Sequence, residues 1–240
     1  MSAKHILMAL ANPAVSTTTG LPVGFWASEL IHPYDAFREK GYQVVIASPN
    51  GGKVVWDAYS DPREYGGYSK DDNLSLEYLN KPDFVKLLAN TPRVRDLRVE
   101  DFDAIVVVGG QSPMFTFKEA GALQALFMDF FTAGKISAAL CHGTSLLLYL
   151  KNADGTPFVK GRKMTGFANS EEDFADKAMG QRLMPFRIEE EARRLGAQFS
   201  AAPAFQPYAV RDGHLITGQQ QQSGAEVARL VIEALEEKRS

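Results

Sequence analysis

The feature that most constrains the fold of this chain is an alternation of short apolar runs with longer segments of helical period. The run "DAIVVVGG" at 103–110 is the clearest, and similar runs occur at 4–10, 42–48, 136–140 and 163–167. Strands that are apolar on both faces are typical of a parallel sheet covered by helices on each side. Helices are predicted near 25–40, 82–90, 118–133, 143–150, 171–178, 185–195 and 223–237. The pattern predicts an α/β fold with a mostly parallel, doubly wound sheet.

Three segments depart from this alternation. The segment "YAVRDGHLITG" at 208–218 places Asp-Gly between two strand-like runs, which predicts a β-hairpin at the sheet edge. Residues 49–81 are rich in Gly, Pro, Asp and Tyr and have no clean period, which predicts an excursion that borders a site. The tract "QQQQ" at 219–222 is predicted to be a solvated loop before the last helix. A length of 240 residues suits a single α/β domain over 1–240.

Charge and hydropathy argue against several functional classes. The chain has 26 Lys and Arg against 29 Asp and Glu, a net charge of −3, with no basic run that would attract nucleic acid or an anionic membrane. It has no unbroken apolar span of about 20 residues and no cleavage-type sequence after its N-terminus. We therefore expect a cytoplasmic protein without nucleic-acid or membrane partners. The 4 scattered histidines and 1 cysteine offer no metal-ligand spacing, so we expect no metal or organic cofactor.

The single cysteine, Cys141, lies in "ISAALCHGTSLLL" at 136–148, between a predicted strand and a predicted helix. Small residues followed by Cys-His-Gly and a helix are typical of a nucleophile elbow, where a strained turn lifts the nucleophile out of the sheet. The helix N-terminus is expected to lower the pKa of the thiol toward neutrality. The alternative is a structural thiol, because free cysteine is among the most buried residue types. Spacing and composition leave both interpretations open.

Backbone amides near the cysteine are candidates for an oxyanion hole. In an elbow, the residue after the nucleophile supplies one amide donor, which here is His142. The strand end "VVVGGQS" at 106–112 could supply a second donor through Gly110, because glycine allows close approach. The alternative for Gly109-Gly110 is a plain turn.

A carboxylate falls within an apolar helical stripe in the segment "GFWASELIHPYDAF". If this segment is helical, Trp26, Leu30, Pro33 and Phe37 share one face, and Glu29 lies among them. Burial would raise the pKa of Glu29 and leave a protonated acid that can donate a hydrogen bond to a thiolate or a substrate oxygen. The alternative is a glutamate that reaches solvent at the helix end.

Motifs in five places, in order and with comparable spacing over nearly the whole chain, resemble the ThiJ/PfpI superfamily. They are most similar to its glyoxalase III-like, heat-shock chaperone branch. The motifs are "FWASELIHPYDAF", "VVVGGQSPMF", "AALCHGTSLLL", "GRKMTGFANSEED" and "DGHLITGQ". The resemblance implies a flavodoxin-like three-layer sandwich, similar to that of class I glutamine amidotransferases. It also implies a Cys-His-acid triad on a nucleophile elbow and a homodimer.

The resemblance also implies a role for individual residues. It places the reactive cysteine on Cys141, its histidine on His142 and the triad acid on Glu172. It places the buried glutamate that hydrogen-bonds the thiol on Glu29. Without the resemblance, the acidic segment 169–176 predicts only an ordinary helix N-terminus, with a capping residue and carboxylates that meet the helix dipole.

The chain departs from the branch pattern beside the oxyanion glycine. Where the branch commonly has Gly-Gly-His-Gly, this chain has Gly109-Gly110-Gln111-Ser112. The glycine is kept, but Gln111 replaces an imidazole that lines the pocket. We therefore expect Gln111 to influence which substrate is bound.

The resemblance implies a glutathione-independent glyoxalase that converts methylglyoxal or a similar 2-oxoaldehyde to a 2-hydroxy acid. The reaction would pass through a hemithioacetal on Cys141. One alternative is a stress-response holdase chaperone, which the aromatic excursion around Trp56, Tyr59, Tyr65 and Tyr68 would serve. Another is an amidase or C–N hydrolase of the same superfamily, which Gln111 keeps open because its position helps to define the pocket.

Two further alternatives concern the same thiol. Glutamine amidotransferase chemistry is disfavoured because the expected His-x-Glu is absent: His214 is followed by Leu-Ile. A peroxide sensor that uses the sulfenic acid of Cys141 stays open.

Overall fold

The computed structural model describes residues 3–64 and 67–237. The strands are β1 (His5–Ala9), β2 (Ala14–Val15), β3 (Pro22–Val23), β4 (Gln43–Ala47), β5 (Ala104–Val107), β6 (Ile136–Leu140), β7 (Lys163–Met164), β8 (Gln198–Phe199), β9 (Ala209–Asp212) and β10 (Leu215–Gly218). The α-helices are α1 (Ala27–Glu39), α2 (Asn73–Leu79), α3 (Pro82–Ala89), α4 (Pro113–Thr116), α5 (Gly121–Thr132), α6 (Asn169–Met179), α7 (Ile188–Arg194) and α8 (Gly224–Glu237). Short 3-10 helices are Ala58–Ser60, Val94–Asp96, Val99–Asp101, Phe117–Glu119, Cys141–Tyr149 and Gln221–Ser223.

A six-stranded sheet in the order β4-β1-β5-β6-β10-β9 forms the centre of the fold. All its pairs are parallel except β10 with β9, the predicted hairpin, which forms the antiparallel edge. Alternate residues of β5 enter different cores. Ile105 packs in the core that contains Phe127 of α5, and Val106 packs in the core that contains Leu30 of α1. Helices therefore cover both faces, and the predicted α/β fold class is confirmed.

The register of the central strands brings their carboxyl ends to one edge of the sheet. Val107 of β5 pairs with Ala9 of β1 on one side and Ala139 of β6 on the other. In open α/β sheets this edge is where ligands bind. The loop after β5 and the turn after β6 thus leave the sheet side by side.

The predicted strand at 163–167 is wrong in extent and in place. Only β7, Lys163–Met164, is a strand, and it pairs in parallel with β8 outside the main sheet. The position beside β6 is occupied by β10, and the Thr165 N–H is satisfied by the hydroxyl of Thr217 at 2.8 Å. The chain then turns toward the carboxyl edge. At Gly166 a Cβ would lie 2.3 Å from Thr144 Oγ1, so only glycine permits this approach.

The predicted helix at 143–150 starts earlier and is wound more tightly. It is a 3-10 helix that begins at Cys141 and ends at Tyr149. The hydroxyl of Thr144 donates to the Cys141 carbonyl at 2.6 Å, which satisfies that acceptor from a side chain.

The excursion at 49–81 contains structure that the sequence pattern did not reveal. A 3-10 helix covers Ala58–Ser60, and α2 covers Asn73–Leu79. The Asp72 carboxylate accepts from the Ser75 N–H at 3.1 Å and caps α2. One predicted residue of this segment, Tyr65, lies outside the described residues.

The glutamine tract at 219–222 is not the solvated loop predicted from its composition. Gln219 and Gln220 are fully buried. The amide of Gln219 donates to Glu171 Oε1 at 2.6 Å, and its oxygen accepts from the Ala202 N–H at 2.8 Å. Gln220 donates to the Gln206 carbonyl at 2.8 Å. The prediction failed because a glutamine amide offers both donors and acceptors, so it can replace water for buried loop backbone.

Residues 3–64 and 67–237 contain no helix both long and apolar enough to cross a membrane.

We predict that replacing Gln219 with methionine destabilises the protein by about 1–3 kcal/mol. The change keeps the side-chain length but leaves Glu171 Oε1 and the Ala202 N–H without this buried partner. Urea unfolding measures the free energy. The matched control is Gln181→Met at an exposed position, with an expected change within about 0.5 kcal/mol. Equal effects of the two substitutions would contradict the buried role of Gln219.

Candidate active site

Cys141 stands at the end of β6 in a strained turn. Its φ is 53°, in the left-handed region that non-glycine residues avoid at a cost of about 1–3 kcal/mol. The thiol is buried, with 2 % of the residue exposed. At Gly143 a Cβ would lie 2.8 Å from the Val107 carbonyl oxygen, so glycine allows the turn to press against β5. This is the geometry of the predicted nucleophile elbow.

Two backbone amides point at the sulfur of Cys141. They are the N–H groups of His142 and Gly110, and both hydrogen-bond the sulfur. Gly110 has φ 102°, and a Cβ there would lie 2.4 Å from the Trp26 nitrogen. The loop after β5 can therefore bring its amide to the elbow only with glycine at this position.

The imidazole of His142 bridges the thiol and a carboxylate. Its Nε2 lies 3.0 Å from Glu172 Oε1, and its Nδ1 lies 3.8 Å from Cys141 Sγ. Phe167 covers the ring, with centroids 4.2 Å apart and planes 34° from parallel. A carboxylate on Nε2 favours the tautomer with its proton on that nitrogen, which leaves the Nδ1 lone pair facing the sulfur. Glu172 lies in the first turn of α6 and is buried beside the ring.

Glu29 lies in the first turn of α1 and has no exposed surface. Its Oε2 accepts from the Gly109 N–H at 2.9 Å. Its Oε1 is buried with no hydrogen-bond partner in the described part of the chain, and the carboxyl interacts with the Cys141 thiol. Burial raises the pKa of Glu29 to about 8. A protonated carboxyl at neutral pH can therefore donate to the sulfur.

The pKa of the Cys141 thiol differs from the sequence prediction. Burial raises it well above its usual value, and the charge of an ionised Glu29 raises it further. The His142 and Gly110 amides act in the opposite direction but are outweighed. The prediction of a lowered pKa from the helix N-terminus is wrong because it did not include burial. The thiol is therefore protonated at neutral pH, with the Nδ1 of His142 3.8 Å from its sulfur.

Asp57 is a buried carboxyl that the sequence analysis did not identify. It accepts from the Gly24 N–H at 2.8 Å and from the Gln111 N–H at 2.7 Å. Burial raises its pKa to about 7. By holding the Gln111 amide, Asp57 fixes the loop that presents Gly110. It lies within the excursion at 49–81, where no period or motif marked it.

The two residues that depart from the branch pattern point in different directions. Gln111 lines the cavity above Cys141. Ser112 is fully buried, and its hydroxyl donates to the Asn12 carbonyl at 2.5 Å. Only Gln111 of this pair is placed to contact a substrate.

The cavity above the thiol has a volume of about 390 Å³. Its floor is polar and includes Cys141, His142, Glu172 and Gln111. Its walls are largely aromatic and aliphatic, and the excursion contributes Tyr59 and Tyr68. In the described residues, no group of three or more His, Cys, Asp or Glu side chains is arranged to hold a metal ion.

Residues 21–234 match the model of the DJ-1/PfpI family. The chain belongs to the DJ-1/PfpI family. The predicted ThiJ/PfpI resemblance is thereby confirmed.

Similar family members include two fungal proteins with glyoxalase names. The chain is 28% identical to the glutathione-independent glyoxalase HSP31 of Saccharomyces cerevisiae, over 98% of this chain and 99% of that protein. It is 30% identical to glyoxalase 3 of Candida albicans, over 90% of this chain and 92% of that protein.

Solved structures show the same fold over the whole length. Glyoxalase III from Candida albicans superposes with a TM-score of 0.79 at 28% identity, and covers 96% of this chain and 97% of its own. The Rapid Encystment Protein of Francisella tularensis superposes with a TM-score of 0.87 at 27% identity, and covers 97% of this chain and 99% of its own.

We predict that Glu29→Gln flattens the pH dependence of stability. Unfolded Glu29 loses its proton near pH 4.5, whereas the folded residue keeps it to about pH 8. Between these values the folded state binds more protons, so the free energy of unfolding falls as pH rises, by up to about 1.4 kcal/mol per pH unit. Urea unfolding from pH 5 to 8 measures the slope. Asp57 also makes the free energy of unfolding fall with pH, up to about pH 7. In Glu29→Gln the free energy of unfolding therefore still falls as pH rises, but less steeply. An unchanged slope would show that Glu29 is ionised in the folded protein.

We predict that Asp57→Asn lowers the free energy of unfolding by about 1–3 kcal/mol. Asparagine has a single acceptor oxygen for the N–H groups of Gly24 and Gln111. Its NH2 group would face one of these N–H groups, and two donors cannot hydrogen-bond each other. Asp71→Asn, an exposed change in the same excursion, is the control and should stay within about 0.5 kcal/mol. Equal stability of the two variants in urea would mean that Asp57 does not hold the loop.

Proposed function

We propose that the chain is a glutathione-independent glyoxalase, a cysteine-dependent lyase that converts a 2-oxoaldehyde to a 2-hydroxy acid. The observation that carries this proposal is the imidazole of His142, which lies between the Cys141 sulfur and Glu172 at the floor of a cavity. The glyoxalase names of relatives at 28% and 30% identity support the same reaction.

The first step is addition of the thiol to the aldehyde carbon, C1. The sulfur forms a bond to C1, the carbonyl π bond breaks, and the oxygen takes up its electron pair. His142 carries the thiol proton to this oxygen and gives a hemithioacetal. The N–H groups of Gly110 and His142 stabilise the developing oxyanion, because they already point to the sulfur and its surroundings.

The second step moves a hydrogen from C1 to C2. Neutral His142 removes the C1 proton, a C1=C2 double bond forms, and the π bond of the C2 carbonyl breaks, which leaves an enediolate with the charge on the C2 oxygen. The C1 hydroxyl proton moves to the C2 oxygen. The imidazolium then returns its proton to C2 as the C1 oxygen forms the carbonyl of a thioester. Glu172 holds the ring and stabilises its charged form. Water then cleaves the thioester to the 2-hydroxy acid and the free thiol. The steps balance without a redox cofactor, because C1 loses the electron pair of its C–H bond and is oxidised, while C2 gains that pair together with the proton and is reduced.

Glu29 interacts with the sulfur in every step of this reaction. Its neutral carboxyl donates a hydrogen bond to the sulfur when the thiol loses its proton. Because Glu29 is uncharged at neutral pH, it adds no negative charge beside the thiolate.

Several predictions from the sequence stay hypotheses. A C–N hydrolase would use the same elbow, with Gln111 in the cavity as a contact for an amide substrate. A holdase would use the half-exposed rings of Tyr59 and Tyr68. The homodimer and the cytoplasmic location also stay predictions.

We predict that the purified protein forms lactate from methylglyoxal without glutathione and that Cys141→Ala abolishes this activity. His142→Ala and Glu172→Gln should lower kcat by about 10²–10⁴-fold, because each interrupts the proton transfers. The control Glu190→Gln alters an exposed glutamate and should keep full activity. A coupled D- and L-lactate assay measures the product.

The same variants separate the alternatives. Lactate formation that persists in Cys141→Ala would overturn the mechanism. Hydrolysis of amides with no lactate formation would favour the hydrolase. Client aggregation suppressed equally by the wild type and by Cys141→Ala would support a holdase activity that does not use the thiol.

A further inference from the structure

The cavity is much larger than methylglyoxal needs, and its walls are apolar. We propose that the substrate is a 2-oxoaldehyde whose substituent beside the 2-oxo carbon is large and apolar, such as an aryl group or a longer alkyl chain. This inference rests on the proposed function. It concerns the part of the substrate that does not react.

The volume is the first argument. The cavity measures about 390 Å³, whereas an apolar cavity of about 150 Å³ is enough to bind benzene. Methylglyoxal carries only a methyl group beside its 2-oxo carbon. It would leave most of this space to water against apolar walls. A phenyl group fits in addition to the reacting atoms.

The chemistry of the lining is the second argument. Cys141, His142, Glu172 and Gln111 are polar lining residues, and Gln221 adds one more neutral amide. Away from them, the described lining residues include no Lys, Arg or Asp. The described residues of the wall include Trp26, Tyr68, Phe167, Phe174, Met179 and Phe205. A phosphate or a charged group on the substituent would find no ionic partner here, whereas an apolar group would be removed from water.

The third argument is that one helix supplies both the acid and part of the wall. Glu172 lies in the first turn of α6, and Ala175 and Met179 follow three and seven residues later. This spacing places them on the same face of the helix. The apolar wall therefore continues directly from the carboxylate that holds His142, so a substituent on C2 extends along α6.

The rim of the cavity also shows apolar groups that are not covered. Phe174 is 54 % exposed and packs edge-on against Phe205, with centroids 5.0 Å apart. Phe205 has φ 60°, a left-handed conformation that its N–H maintains by donating to Glu171 Oε1 at 3.1 Å. A strained backbone that holds an aromatic ring at a cavity rim is typical of a binding site. An apolar substituent would cover these rings.

The test compares kcat/KM for three 2-oxoaldehydes: phenylglyoxal, methylglyoxal and 3-deoxyglucosone, whose substituent is polyhydroxylated. We expect phenylglyoxal to exceed methylglyoxal at least ten-fold and 3-deoxyglucosone to be the poorest substrate. Ala175→Phe, which fills the cavity beside α6, should lower the ratio of phenylglyoxal to methylglyoxal at least ten-fold. Ala178→Phe, at an exposed position of the same lining, provides a second variant if the first does not fold.

The matched control is Ala225→Phe, an exposed alanine of α8 outside the cavity. It should leave both the ratio and the activity unchanged. The inference is overturned if 3-deoxyglucosone is the best substrate. It is also overturned if cavity-filling variants lower the rates for phenylglyoxal and methylglyoxal in parallel.

A binding measurement separates this inference from the proposed function. In Cys141→Ala, calorimetry compares 2-hydroxyacetophenone with hydroxyacetone, two neutral ketones that differ in phenyl against methyl. We expect at least ten-fold tighter binding of the phenyl compound, lost when Ala175→Phe is added. This result without turnover of any aldehyde would reject the glyoxalase and retain the apolar site. Turnover with no preference in either assay would retain the glyoxalase and reject the inference.

Discussion

The burial of one carboxyl group against one thiol is the constraint on which the rest of the site depends. Glu29 has no exposed surface and a single backbone donor, so its proton stays to about pH 8. Position 109 must then be glycine, because a Cβ would lie 2.5 Å from Glu29 Oε2 and 2.9 Å from Cys141 Cβ. The same absence of water raises the pKa of the Cys141 thiol. The pair is therefore neutral at rest, and the imidazole that contacts the thiol is that of His142, with Nδ1 3.8 Å from the sulfur.

Buried carboxyl groups hold two loops beside the site: the loop with Gly110 and the loop with Phe205. The loop with Gly110 is fixed from the side by Asp57, which accepts the Gln111 amide. The two adjacent glutamates of α6 have different hydrogen-bond partners. Glu172 contacts His142, and Glu171 accepts from Ala168, Phe205 and Gln219. Glu171 thus joins the acid's helix to the rim and to the end of β10. The positions of Cys141, His142 and Glu172 therefore depend on this scaffold.

Much of the fold and part of the site could be predicted from local sequence. Buried parallel strands must be apolar on both faces, so the runs that became β1, β4, β5 and β6 were visible. The elbow was also visible, because its small residues, cysteine and glycine are contiguous. The assignment of Glu172 rather than Glu171 came from the family resemblance, because both carboxylates are equally compatible with a helix N-terminus. The site roles stay proposals, but the structure brings Glu29, Cys141, His142 and Glu172 together.

The sequence by itself determined the α/β class, the family and the position of the thiol at a strand end. These follow from periodicity and from motifs that are continuous in the chain. Only the tertiary structure decided that residues 163–167 lie outside the six-stranded sheet, that Gln219 is buried and that Asp57 holds the loop with Gly110. It also decided that the pKa of Cys141 is raised. Burial depends on contacts between segments far apart in the chain, such as Asp57 with Gln111 and Gln219 with Glu171. No local pattern encodes the loss of water that controls these groups.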